Sequence, residues 1–391
     1  MGSGESDDSD KKEEKKESRK DEKKESLRVD SNRKATGSRR KKSKDDDGLK
    51  LKPGEVVTNA KHGYVILKLL GEGGFGAVYR VRDRDDAQKE YALKVEKKVS
   101  SRRHSKLKME VAILKLVGKE RSADISHFTQ CIDRGKKEKF FFLVMELVGM
   151  SLDDLKRERP GKVFSMGTGI GTAIQCLEAV QDLHKHGFIH RQAPPVRPTH
   201  LLFGCSDLKP ANYACGLKYK RHIIYLLDFG IARRIVNDEN RIKGPRSYVG
   251  FKGTVRFASI NCHKNLELGP KDDIESWFYL LLDLVVQSGL PWAKAGDKAD
   301  VLKVKEECRR EKRPLLFNMI VCANTFGLIM DYIDGLQYED HADYGYIYKL
   351  LHCAANECGV NPDAPYDWEL DANGVTTRLN PQSKMVTART K

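Results

Sequence analysis

His190-Arg191, then QAPPVRPTHLLFGCS at 192–206, then Asp207-Leu208-Lys209-Pro210-Ala211-Asn212 is the stretch on which this chain turns. With the fifteen residues 192–206 set aside it reads His-Arg-Asp-Leu-Lys-Pro-Ala-Asn. One short loop then carries a carboxylate that can take a proton, an ammonium that can neutralise an anion and an amide that can hold a hard cation. Those groups suit the movement of a phosphoryl group. The fifteen residues interrupt the loop at its most demanding point.

The rest of the composition narrows the field. The chain has 391 residues, enough for one large domain or two. A formal charge of +15 suggests acidic partners, but the excess is diffuse: the first fifty residues hold 17 Lys/Arg against 14 Asp/Glu. No element concentrates basic and aromatic residues as a nucleic-acid binder would, so no nucleic-acid partner is expected. Nine cysteines are scattered without a C-x-x-C pair, which predicts reduced thiols in the cytoplasm or nucleus. The most apolar run, Trp277 to Leu290, contains Asp283 and is too short for a membrane span; it predicts a buried helix.

Taken in order, residues 1–54 form a charged segment expected to be disordered, since its first fifty residues lack Phe, Trp and Tyr. Gly2 and Ser6 fit a myristoylation spacing, although Asp7 and Asp8 oppose it, and residues 39–44 (RRKKSK) fit either a nuclear import tag or a solvated charge run. From Val65 to Val81 and Glu90 to Val95, β-branched and aromatic runs predict strands. Within the first run lies Leu70-Gly71-Glu72-Gly73-Gly74-Phe75-Gly76-Ala77-Val78, which would turn one strand into the next, and within the second lies Tyr91-Ala92-Leu93-Lys94. A Lys ending an apolar strand needs an acid, and the amphipathic helix Leu107 to Val117 offers Glu110. Phe140 to Leu147 predicts another strand, ending at Glu146-Leu147-Val148. Ile170 to His186 predicts a helix, and Ile223 to Leu227 a strand that delivers Asp228-Phe229-Gly230.

This ordered series resembles the protein kinases. Gly253-Thr254-Val255-Arg256-Phe257-Ala258-Ser259-Ile260-Asn261, Asp272-Asp273-Ile274-Glu275-Ser276, and Gly289-Leu290-Pro291-Trp292 are similar to the casein kinase 1 group. His263-Lys264-Asn265 and Tyr366-Asp367-Trp368-Glu369 resemble its tau-tubulin kinase branch most closely. The resemblance covers roughly residues 55–370. It implies an α+β, two-lobed fold: a β-rich N-lobe with one helix at about 55–147, a larger helical C-lobe at about 148–370, and a short tail at 371–391.

The same resemblance implies a serine/threonine protein kinase that uses ATP and magnesium. Leu70, Gly71, Gly73, Gly76, Val78 and Ala92 would enclose the nucleotide, Lys94 with Glu110 would hold its phosphates, and backbone groups of Glu146 and Val148 would meet the adenine. Asp207 would be the base and Lys209 the cation beside the transferred group. Asn212 and Asp228 would hold the metal, and Asp273 would anchor the catalytic loop. Arg256 would recognise an acidic or phosphorylated residue on protein substrates, with an internal salt bridge as the other reading. Substrates would be acidic or phosphorylated proteins, with a cytoskeletal link by family analogy.

The insert at 192–206 leaves two expectations open. Closing a loop of that length costs only about 2–3 kcal/mol, so its position is the objection and its entropy is not. Either the enzyme is active and the insert bulges outward or is absent from the messenger, or the chain is a catalytically impaired scaffold. Codon choices open to these residues permit a retained intron: a GC…AG segment split across the codons of Arg191 and Ser206 could leave while restoring Arg-Asp.

Overall fold

The computed structural model of the protein describes residues 50–73, 76–98, 105–118, 126–190, 208–246 and 255–370. The charged stretch through residue 49, the basic run 39–44, Arg191, the insert 192–206 with Asp207, and the tail 371–391 lie outside the described residues.

The N-terminal lobe is an antiparallel sheet of six strands: β1 Val56–Thr58, β2 Gly63–Gly73, β3 Gly76–Asp83, β4 Glu90–Lys97, β5 Cys131–Lys136 and β6 Phe140–Glu146. Their spatial order is β1-β2-β3-β4-β6-β5. Alternation along β3 buries Ala77, Tyr79 and Val81 on one face, as a half-covered strand requires. Helix α1, Lys106–Val117, covers the sheet with Leu107, Val111, Leu114 and Val117, one apolar stripe at helical spacing. Ahead of β1, Leu51 N donates to the Tyr79 hydroxyl at 3.1 Å.

The second lobe is mostly helical: α2 Leu152–Arg157, α3 Met166–Lys185, α4 Ile260–His263, α5 Pro270–Val285, α6 Lys298–Glu307, α7 Arg313–Leu316, α8 Ala323–Gly335 and α9 Tyr344–Glu357. Short strands β7 Phe188–Ile189, β8 Tyr213–Cys215, β9 Ile224–Leu226 and β10 Arg233–Arg234 pair as β7 with β10 and β8 with β9. The α+β two-lobed fold expected from the sequence is the fold observed.

Helix α5 is the axis of this lobe; of its residues only Lys271 escapes full burial. It meets α3 closely because α3 carries Gly169, where a Cβ would stand 2.1 Å from Val285 Cγ1. Each helical glycine costs about 1 kcal/mol relative to alanine, and tight interhelical packing offsets it here. Trp277 Nε1 donates to the Ala173 carbonyl at 2.8 Å, so the largest side chain of α5 is buried without an orphaned donor. The buried helix expected over Trp277 to Leu290 stops at Val285, and Gly289 turns the chain at φ +70°. No helix among the described residues is long and apolar enough to cross a membrane.

Asp272, fully enclosed in the first turn of α5, accepts from Ser259 Oγ at 2.7 Å and Gly269 N at 3.0 Å. Burial and the neighbouring Glu275 charge nonetheless push its carboxyl up to about 7. A carboxyl raised above its unfolded value contributes stability that is complete at low pH and lost as pH rises through the folded value. The thermal midpoint should therefore fall between about pH 5 and pH 8, by a few degrees more in the wild type than in Asp272→Asn. Equal pH dependence of the two melting curves would remove this account.

Candidate active site

The core of the site is one ammonium between two carboxylates. Lys94 sits on β4, paired with Val78 of β3 and Leu143 of β6, so both neighbouring strands hold its backbone. Its Nζ donates to Glu110 Oε2 on α1 at 2.7 Å and to Asp228 Oδ1 at 2.9 Å. Burial works against the charged ammonium, yet the two carboxylates outweigh it and hold Lys94 above the ordinary lysine range. For Glu110, whose side chain is 3% exposed, burial pushes the carboxyl up more than Lys94 pulls it back. Burial also acts upward on Asp228, but the Lys94 charge and hydrogen bond bring it down to about 2. Asp228 is thus ionised at neutral pH, with 45% of its side chain open to solvent.

Glu96 at the end of β4 explains why α1 presents Glu110 there. Its carboxylate accepts from Lys106 N at 3.2 Å and Leu107 N at 2.9 Å at the first turn of α1, and from Ser105 Oγ. An anion there meets the positive end of the helix dipole and satisfies amides that lack intrahelical partners. The strand bearing Lys94 and the helix bearing Glu110 are thereby clamped two residues beyond the lysine. The sequence reading missed Glu96; its signal was an acidic residue two places after the strand lysine and just ahead of a helix.

Asp228 adopts φ +64°, a left-handed conformation uncommon outside glycine. Its own Oδ1 accepts from Gly230 N at 3.3 Å, the local bond that makes this region accessible to Asp. The following Phe229 is buried, with Phe128 stacked at 5.4 Å and the His190 ring edge-on at 5.7 Å. His190 N donates to Asp273 Oδ2 at 2.7 Å, which also meets His184 Nε2 at 3.0 Å. A chain of contacts therefore runs from Phe128 through Phe229 and His190 to Asp273 of α5, which holds the backbone at His190, next to Arg191.

On the far side of that loop, Leu208 is fully buried and Pro210–Asn212 form one tight turn. The β8–β9 ladder pairs Tyr213 with Leu226, and Leu227 N donates to the Asn212 carbonyl at 2.8 Å. Asn212 and Asp228 are brought side by side through that ladder. Together they offer an amide oxygen and an ionised, partly open carboxylate, hard donors suited to a divalent cation. Asp207 lies outside the described residues.

The β2–β3 hairpin forms the roof. Gly71 pairs with Val78 and Gly73 with Gly76. At Gly71 and Gly73 an added Cβ would meet nothing within 4 Å, so packing does not require glycine there, and the roof is bare backbone. Gly76 differs, because a Cβ would stand 1.8 Å from the Val95 carbonyl oxygen. Leu70 is exposed on β2, Val78 is half-buried on β3, and Ala92 is buried on β4 opposite Met145. Glu146 ends β6, where its N–H donates to the Gln130 carbonyl at 3.0 Å and its carboxylate meets Lys220 at 3.3 Å. Val148 follows, and Gly149 N then donates to the Cys215 carbonyl at 2.7 Å, fixing the crossing between the lobes. Arg256 lies in the second lobe, paired with Asp283 of α5 and stacked over Phe257 at 5.5 Å.

Comparison with known proteins agrees with this geometry. The protein kinase domain model matches residues 64–319. A Dictyostelium discoideum protein named "Probable serine/threonine-protein kinase" is 32% identical over 311 residues, 79% of this chain and 57% of that protein. The chain thus spans little more than half the length of that relative. A Caenorhabditis elegans serine/threonine-protein kinase is 30% identical over 315 residues, 80% of this chain and 76% of its own length. A candidate casein kinase I of the same organism is 31% identical over 345 residues, 85% and 89% of the two chains.

Removing Lys94 alone should strand Glu110 as a buried uncompensated charge, at a cost of about 3–5 kcal/mol. Lys94→Met should lower the unfolding free energy by that amount in a denaturant titration. Lys94→Met/Glu110→Leu should regain most of it without regaining any phosphoryl transfer. Equal stability of the single and double variants would contradict the ion-pair account.

Proposed function

The chain belongs to the protein kinase domain family, and on that premise we propose that it is a serine/threonine protein kinase of the casein kinase 1 type, nearest the tau-tubulin kinase branch. The observation that carries the reading is the Lys94 ammonium bridging Glu110 and Asp228 beside the Asn212 turn. A binding scaffold has no chemical need to keep these groups together.

Lys94 orients and neutralises the phosphates of ATP under the Gly71–Gly73 roof, while Leu70, Val78 and Ala92 enclose the base. Backbone groups of Glu146 and Val148 meet its polar edge. Asp228 and Asn212 would hold magnesium, which supplies charge neutralisation between the phosphates. Asp207 takes the proton of the attacking serine or threonine hydroxyl, and Lys209 balances charge on the group in transfer. Substrates are proteins with an acidic or phosphorylated residue near the target, engaged by Arg256. A cytoskeletal substrate is the family analogy. The scattered cysteines, all free thiols among the described residues, and the basic run 39–44 support a cytoplasmic or nuclear location.

The competing reading is an impaired kinase-like scaffold, favoured by the fifteen residues between Arg191 and Asp207. A displacement of about 1 Å in a catalytic loop can cost on the order of a hundredfold in rate. We propose that residues 192–206 are intron-derived and absent from the functional enzyme. A messenger that retains all 45 nucleotides, fifteen codons, as its dominant form would eliminate that idea.

The enzyme reading is tested with protein lacking 192–206. It should phosphorylate acidic serine peptides, and Asp207→Asn should reduce kcat by about three or more orders of magnitude, leaving nucleotide affinity within a few-fold. Absence of transfer to any acidic protein or peptide would defeat it. Activity confined to the shortened protein would assign the full chain to the scaffold reading.

A further inference from the structure

Asp283 is an acid inside the apolar run of α5, and its side chain is 2% exposed. Two cations converge on it from different segments. Lys156 of α2 meets Oδ2 with Nζ and also donates to the Asp283 carbonyl at 2.7 Å. Arg256 meets Oδ1 through a terminal guanidinium nitrogen. The Lys156 side chain is 11% exposed and the Arg256 side chain 40%, so the triad has one open end.

Charge and geometry both follow from that arrangement. A lone Arg–Asp pair is neutral and attracts a further anion weakly. With Lys156 on the second oxygen, one positive charge remains, and the only well-exposed member that can carry it is Arg256. The guanidinium is also fixed in direction. It rests 5.5 Å from the Phe257 ring centroid, and the Arg256 carbonyl accepts from Trp292 Nε1 at 2.7 Å. Gly289, at φ +70°, leaves room beside it: a Cβ there would come within 3.9 Å of the terminal nitrogen. A pre-positioned guanidinium loses less freedom on gripping an oxyanion than a mobile one.

We propose that Lys156, acting through Asp283, is a positioning residue that leaves Arg256 net positive and aimed at an oxyanion on the protein substrate. That group is a phosphorylated side chain or a carboxylate. The inference rests on the reading of Arg256 as the substrate-anion contact and adds to it a partner on a helix far away in sequence. Lys156 touches neither substrate nor nucleotide; its effect is electrostatic. A merely structural lysine would not show the rescue by neutralising Asp283 described next.

The test is fluorescence anisotropy with the full-length chain at constant ionic strength. The probes are one serine peptide carrying a single phosphoserine and the same peptide with Glu or Ser at that position. Lys156→Met should weaken phosphopeptide binding about tenfold, the glutamate peptide less, and the plain peptide not at all. Lys156→Arg should bind as wild type. Lys156→Met/Asp283→Asn should recover the phosphopeptide preference, because the charge cancelling Arg256 has been removed. This double variant also keeps the test decisive if Lys156→Met alone proves unstable in a thermal melt. If Arg256→Ala erases the preference while Lys156→Met and the double variant both keep it, the inference is overturned and the reading of Arg256 stands. If Arg256→Ala leaves the preference unchanged, that reading falls and the inference falls with it.

Discussion

One ammonium decides whether this protein has a site at all. Lys94 stands on a strand, Glu110 on a helix and Asp228 on the segment returning from the second lobe, and their bonds are 2.7 and 2.9 Å long. Without Lys94, Glu110 would be a costly buried charge. Together they make the placement of α1, the sheet and the Asp228 turn a single condition. If α1 shifts, Glu110 loses its partner; if Asp228 leaves αL geometry, Lys94 loses its second one. The Glu96 clamp on the first turn of α1 makes the first of these failures less accessible.

The second lobe repeats this logic around α5. Asp272 ties the turn at Ser259, Asp273 holds His190 N, and Glu275 accepts from Ile260 N at 3.0 Å and meets Arg309 at 3.2 Å. All three lie in the first turns of the helix, where unpaired amides and the dipole favour negative charge. Asp283 lies near the other end, where the dipole opposes an anion. It is the one that receives two cations, Lys156 and Arg256. The helix thus fixes the backbone at His190, the turn at Ser259 and Ile260, and the Arg256 side chain.

Much of this was legible in the sequence where a local pattern carries a local demand. The glycine hairpin, the strand lysine, Glu110 on its amphipathic helix and Asp228-Phe229-Gly230 were read from their order along the chain and from the resemblance to protein kinases, and the structure joins Lys94, Glu110 and Asp228. Helix ends were less legible: the apolar run through Leu290 continues past Val285, because burial and helicity are separate properties and Gly289 enforces the turn. Pairings across the chain were not legible. Lys156 lies 127 residues from Asp283, and nothing local marks it as different from the other lysines of a basic chain. The acid inside an apolar run was the visible half of that pair. Arg256 was read with two alternatives, substrate anion or internal bridge; its bond to Asp283 coexists with an open outer face, so the two are compatible.

The same reasoning bears on the interrupted loop. On one flank, His190 is held by Asp273 and packed on Phe229; on the other, Leu208 is buried and Asn212 is bonded to Leu227. Each of these contacts joins residues outside 191–207. The bonds that Lys94 makes to Glu110 and Asp228 are likewise made among the described residues. Asp207, the proposed base, directly adjoins the insert in sequence. On the proposed assignment, nucleotide binding and proton transfer rest on different segments: the first on residues of the sheet and of the turn before β8, the second on Asp207, which directly follows the fifteen residues.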